Sequence, residues 1–80
     1  MTLEVVVVGA QKAMFEGRAR SVSSINRVGP FDVLPEHENF ISLIYGRVTV
    51  VNESGKSQEF SCEHGLLEVS GNRVQVLLGI

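Results

Sequence analysis

Apolar and polar residues alternate with a period of two along most of this chain, the spacing of strands that bury one face. Leu3 to Val8 is rich in β-branched residues and stops at Gly9-Ala10. Lys12 to Phe15 is too short for a stable helix and ends at Glu16-Gly17. Arg18 to Ile25 alternates again and leads to a turn between Asn26 and Pro30. Phe31 to Leu34 reads as a short strand cut off by Pro35. Phe40–Ile44, Arg47–Val51, Gln58–Glu63, Leu66–Ser70 and Arg73–Leu78 follow, with Asn52 to Ser57 as a polar hairpin loop. No segment sustains a helical period. Roughly eight to ten short, mostly antiparallel strands at this spacing predict an all-β fold, a single β-sandwich.

The last hairpin can be registered from the sequence. Gly71-Asn72 suits a two-residue turn, since both residues tolerate positive φ. That turn sets Val69 opposite Val74 and Leu67 opposite Val76 on one face, with Glu68 against Gln75 and Ser70 against Arg73 on the other. A slip of one residue would bury charge, so the register is strongly specified. The same parity nominates Leu3, Val5, Val7, Val48, Val50, Phe60, Cys62, Leu67, Val69, Val74, Val76 and Leu78 for the inner face. The opposite parity carries an apolar surplus of Val6, Val8, Val51, Leu66 and Leu77. Such a surplus is either covered by loops and a wrapped sheet edge or left as a partner surface.

Composition narrows the picture. Eighty residues make one domain, 1–80, with a core too thin for a deep catalytic pocket. The net charge is −2 and the seven basic residues are scattered, which offers nucleic acid no electrostatic footprint. The longest apolar run, Val5 to Val8, is far below the roughly 20 residues of a membrane span. Cys62 is the only cysteine, so no internal disulfide forms. With no signal-peptide pattern, the chain reads as soluble and cytoplasmic.

Two constellations suggest chemistry. Glu36-His37-Glu38 has the composition of a general base with carboxylate orienters. Neighbours in an extended segment point to opposite sides, however, and no nucleophile motif accompanies them. Cys62 and His64 share a strand face and are potential zinc ligands, but zinc takes about three or four and His37 is the only other histidine. The glycines at the turns precede no helix and build no phosphate cradle. These residues predict no catalytic group, metal or cofactor.

Three stretches in order carry a family resemblance. They are LEVVVVGAQKAMFEGRARSVS, VGPFDVLPEHENFISLI and HGLLEVSGNRVQVLL. Phe15 and Gly17, then Gly29, Leu34, Pro35 and His37, then Gly65, Leu67, Glu68, Val69, Asn72 and Val74 match its motifs. The chain resembles the N-terminal β-sandwich domain of the epsilon subunit of F-type ATP synthases. It departs at Asp32 and Glu36, where the family usually has Gly, at Glu38-Asn39 in place of Ala-Pro, and at His64 in place of Gly. The family's second domain, a helical hairpin, has no counterpart in these 80 residues.

The resemblance implies a non-catalytic rotor role, with the sandwich joining the gamma subunit to the membrane c-ring. By position it implies that His37, Glu38, Phe40 and Ser42 face gamma, with Phe40 as aromatic anchor. It implies that Val28, Gly29, Pro30 and Phe31 face the ring, although Pro30 stands where the family often has an acid. Membrane attachment then comes only through the complex, on the inner face of the cell membrane. The reading that needs no resemblance is a stand-alone protein-binding module using the Val6/Val8 or Leu66/Leu77 surface.

Overall fold

The computed structural model describes residues 1–80, and every regular element in it is a strand. These are β1 (Leu3–Val8), β2 (Ala13–Asn26), β3 (Gly29–Val33), β4 (Phe40–Asn52), β5 (Ser57–Ser70) and β6 (Arg73–Leu78). They hydrogen-bond in the order β1-β6-β5-β4-β2-β3, and a further β1–β2 pairing closes the sheet on itself. All pairs are antiparallel except β1–β6, which is parallel.

Six strands replace the eight to ten expected, because three of them turn the corner of the sandwich without breaking. β2 pairs with β1 through Ala13–Ala19 and with β4 through Ala19–Ser24. β4 and β5 pair on both sides of a bulge between Ile44 and Gly46. Each corner carries a glycine that the sequence pattern reads as a strand end. Gly46 adopts φ 84°, a left-handed conformation that side chains resist. Gly65 is needed for space. A Cβ there would lie 2.9 Å from the Leu77 carbonyl oxygen and 3.1 Å from Ile44 Cγ1.

The β5–β6 register is the one the hairpin rule predicts, including Val69 with Val74, Leu67 with Val76, Glu68 with Gln75 and Ser70 with Arg73. Only Gly71 of the turn has positive φ, 63°, so the turn fits type II′, with Gly at its first central position.

The core comprises Leu3, Val5, Val7, Ala19, Val22, Val33, Ile44, Val48, Val50, Leu67, Val69, Val74 and Val76, all buried. Nine of the twelve nominated inner-face residues belong to it; Phe60, Cys62 and Leu78 are only half-buried. The physical reason is lateral. Ser57–Cys62 pairs with β4 alone, whereas Gly65–Ser70 lies between β4 and β6, so Phe60 and Cys62 sit towards an open edge. The one buried polar residue, Ser24, donates its hydroxyl to the Arg47 carbonyl at 2.7 Å, which removes its desolvation penalty.

Candidate interaction surface

Two surface features stand out. The first is the turn that holds the acid-imidazole-acid triplet. The His37 N–H donates to the Leu34 carbonyl at 3.1 Å, Pro35 follows Leu34, and Glu36 has φ 69°. This is the pattern of a type II turn, whose third position favours glycine. Glu36 is the only non-glycine residue with positive φ in the chain. Replacing it with glycine relieves that strain, partly offset by the entropy glycine adds to the unfolded chain. Glu36→Gly is expected to stabilise the protein by about 0.5–1 kcal/mol, read as a rise in urea midpoint at constant slope.

The triplet is not assembled for acid-base chemistry. His37 Nδ1 lies 2.8 Å from the Glu38 backbone carbonyl, and its ring packs 5.0 Å from that of Phe40. Its hydrogen-bond partner is therefore main chain and neither carboxylate. Cys62 and His64 are likewise apart from His37 in role. Desolvation raises the Cys62 thiol pKa, while the His64 ring packs edge-on against Tyr45 at 5.9 Å. No group of three or more His, Cys, Asp or Glu residues is placed to hold a metal.

The structure brings the two groups of candidate interface residues together. Phe31 and Phe40 meet edge to face at 5.8 Å, and the Asn26 side-chain amide donates to Ser42 Oγ at 3.4 Å. Phe31 and Phe40 are half-buried and pack against the core. Val28, at the hairpin tip between β2 and β3, is 97% exposed, and Pro30 and Glu38 are exposed too. Asn26 Oδ1 fixes that tip by accepting the N–H groups of Val28 and Gly29 at 2.9 and 3.2 Å.

The second feature is an apolar row across the outer face. Val8 pairs with Leu77, Leu77 with Leu66, and Leu66 with Leu43. Four strands thus contribute one apolar side chain each, about 14 Å end to end at the usual strand spacing. Leu43 and Ile41 are more than half exposed; Val6, Val8, Leu66 and Leu77 are half-buried. The surplus of outward valines and leucines is therefore continuous with exposed β4 residues that sequence reasoning did not single out. Their signal was parity, since Ile41 and Leu43 alternate with Phe40, Ser42 and Ile44.

The family model described as "ATP synthase, Delta/Epsilon chain, beta-sandwich domain" matches residues 2–79. The chain belongs to this family. An ATP synthase epsilon chain of Bordetella petrii is 38% identical over 77 residues, which cover 95% of this chain and 55% of that one. One of Xanthomonas oryzae pv. oryzae is 30% identical over 78 residues, covering 96% and 56%. The chain thus spans about half the length of the epsilon chains it matches. Among solved structures, a chain of the Euglena gracilis mitochondrial ATP synthase superposes with a TM-score of 0.89 at 16% identity, covering 96% of this chain and 50% of that chain. A chain of the Tetrahymena thermophila ATP synthase central stalk and c-ring superposes with a TM-score of 0.79 at 10% identity, covering 100% and 65%. At such identities these superpositions establish the delta/epsilon β-sandwich fold.

Proposed function

We propose that this epsilon-type sandwich is a non-catalytic part of the central stalk of an F-type ATP synthase, joining the gamma subunit to the membrane c-ring. The observation that carries the reading is the family match over residues 2–79. The surface supplies a means. A rotor joint must carry torque without slipping, which calls for a stiff body and an interface with an apolar centre and a polar rim. The closed sheet is the stiff body. The row Val8-Leu77-Leu66-Leu43 has the character of an apolar centre, and the turn bearing His37 and Glu38 has that of a polar rim.

Within the segment proposed to face gamma, the outward side chains are Ile41 and Leu43, with Phe40 and Ser42 supporting them from beneath. Toward the ring, the exposed Val28 tip and Pro30 are the contact, with the half-buried Phe31 as their root. This arrangement needs no cofactor or metal. It puts the protein at the inner face of the cell membrane through the complex alone.

Co-expression with the cognate gamma subunit tests the reading. A complex that stays together on gel filtration at micromolar concentration is the expected result. Clean separation of the two chains removes the rotor role and leaves the apolar row to the stand-alone binding module.

A further inference from the structure

The turn that precedes β4 has no strand partner, yet it is tied down by two side-chain amides that the function above does not use. The Glu36 N–H donates to Asn72 Oδ1 at 2.7 Å. In the opposite direction, the Gly71 N–H donates to Asn39 Oδ1 at 2.7 Å. Each segment therefore lends the other an asparagine carbonyl and receives one back, across 36 and 32 residues of sequence. Asn72 is fixed in turn through its own main chain, since its carbonyl accepts the Glu4 N–H at 2.7 Å.

The backbone explains why both bonds are needed. Residues 34 to 39 form no strand pairing, and their only main-chain bond of the turn is that from His37 to Leu34. The left-handed Glu36 exposes its N–H to the β5–β6 turn, where an acceptor on Asn72 meets it. The type II′ geometry at Gly71-Asn72 similarly leaves the Gly71 N–H without a ladder partner, and Asn39 supplies one. Immediately after Asn39 the chain enters β4 at Phe40, paired with Val69, and reaches Ile41 and Leu43 on the outer face.

We infer that Asn39 and Asn72 are positioning residues of the partner surface. Together they form a reciprocal clamp that holds the Pro35–Phe40 segment in one conformation before gamma arrives. The inference rests on the gamma-binding reading. Preorganisation of this kind spares the complex the entropy of ordering a loop, so its loss weakens binding without removing any contact to the partner. Neither asparagine needs to touch gamma for this effect.

The test uses the whole chain in complex with cognate gamma and the variants Asn39→Ala, Asn72→Ala, Asn39→Asp and Asn72→Asp. Two quantities are read: solvent exchange of the Glu36 and Gly71 amides by NMR in the free chain, and the rate at which the complex dissociates. Asn39→Ala is expected to accelerate exchange at Gly71, and Asn72→Ala at Glu36. Each alanine variant is expected to raise the dissociation rate about three- to tenfold, the equivalent of one lost hydrogen bond. The aspartate variants keep an acceptor oxygen in place and are expected to restore both quantities. Faster exchange with an unchanged dissociation rate overturns the positioning role and leaves the gamma reading standing. Unchanged exchange in both alanine variants overturns the clamp itself. A wild-type chain that binds no gamma overturns the reading beneath, and the positioning role falls with it.

Discussion

Gly65→Ala is expected to lower the stability of the protein by about 2–3 kcal/mol, a loss out of proportion to one methyl group. The new Cβ would meet the Leu77 carbonyl oxygen at 2.9 Å and the Ile44 side chain at 3.1 and 3.2 Å. The Leu77 oxygen belongs to main chain paired on both sides, with Leu66 of β5 and Val8 of β1, and cannot move without disturbing those pairs. Ile44 is fully buried, so its side chain has no free space to enter. For a domain of this size the loss corresponds to a fall in Tm of roughly 10–20 °C, followed by circular dichroism. Gly71→Ala is the internal comparison. Nothing lies within 4 Å of a Cβ there, and only its φ of 63° resists a side chain, so about 1 kcal/mol is expected. A Gly65→Ala protein that melts within a few degrees of wild type would show that the sheet corner is looser than its geometry implies.

The same glycine shows where the sequence was and was not legible. The β5–β6 hairpin could be registered in advance because a two-residue turn permits one pairing that keeps charge out of the core. The corners could not. A glycine after Glu16, Tyr45 or His64 gives the same local signal whether a strand stops or bends, and only the closure of the sheet decides. Nine short segments were therefore visible, but not that six of them join in pairs as β2, β4 and β5.

That ambiguity propagated to the surface. Residues 53 to 56 do not fix a register as a two-residue turn does, and the bulge at Tyr45 shifts the pairing by one residue. From sequence, Leu66 and Leu77 could be assigned to one face through the hairpin, but Leu43 could not be placed beside them. Phe40 was named as an anchor by its position in the family resemblance. In the structure it is half-buried, packed edge to face with Phe31 and against the core. The charges of Glu36 and Glu38 were conspicuous, whereas the asparagines that hold their turn in place became visible only in three dimensions.

Leu43→Glu is expected to weaken assembly with gamma roughly 30-fold or more while leaving the sandwich folded. Leu43 is 51% exposed on the outer face, so a carboxylate there stays hydrated in the free chain and costs less than about 1 kcal/mol of stability. Within an interface the position changes character. Its register partner is Leu66, and the row continues to Leu77 and Val8, so a docked partner would enclose the carboxylate among apolar side chains. An unpaired charge desolvated in that way costs several kcal/mol, and a loss of at least about 2 kcal/mol means affinity weakened roughly 30-fold or more. Thr49→Glu is the matching control. It adds the same charge on the outer face of the other half of β4, where the neighbours are Ser23 and Glu59, and is expected to leave binding within about threefold of wild type. Both variants are first checked for an unchanged circular dichroism spectrum and then titrated against gamma. Equal affinities for Leu43→Glu and wild type would exclude the apolar row as the docking face. Contact with gamma would then have to run through the His37–Glu38 turn alone, and the row would need a different partner.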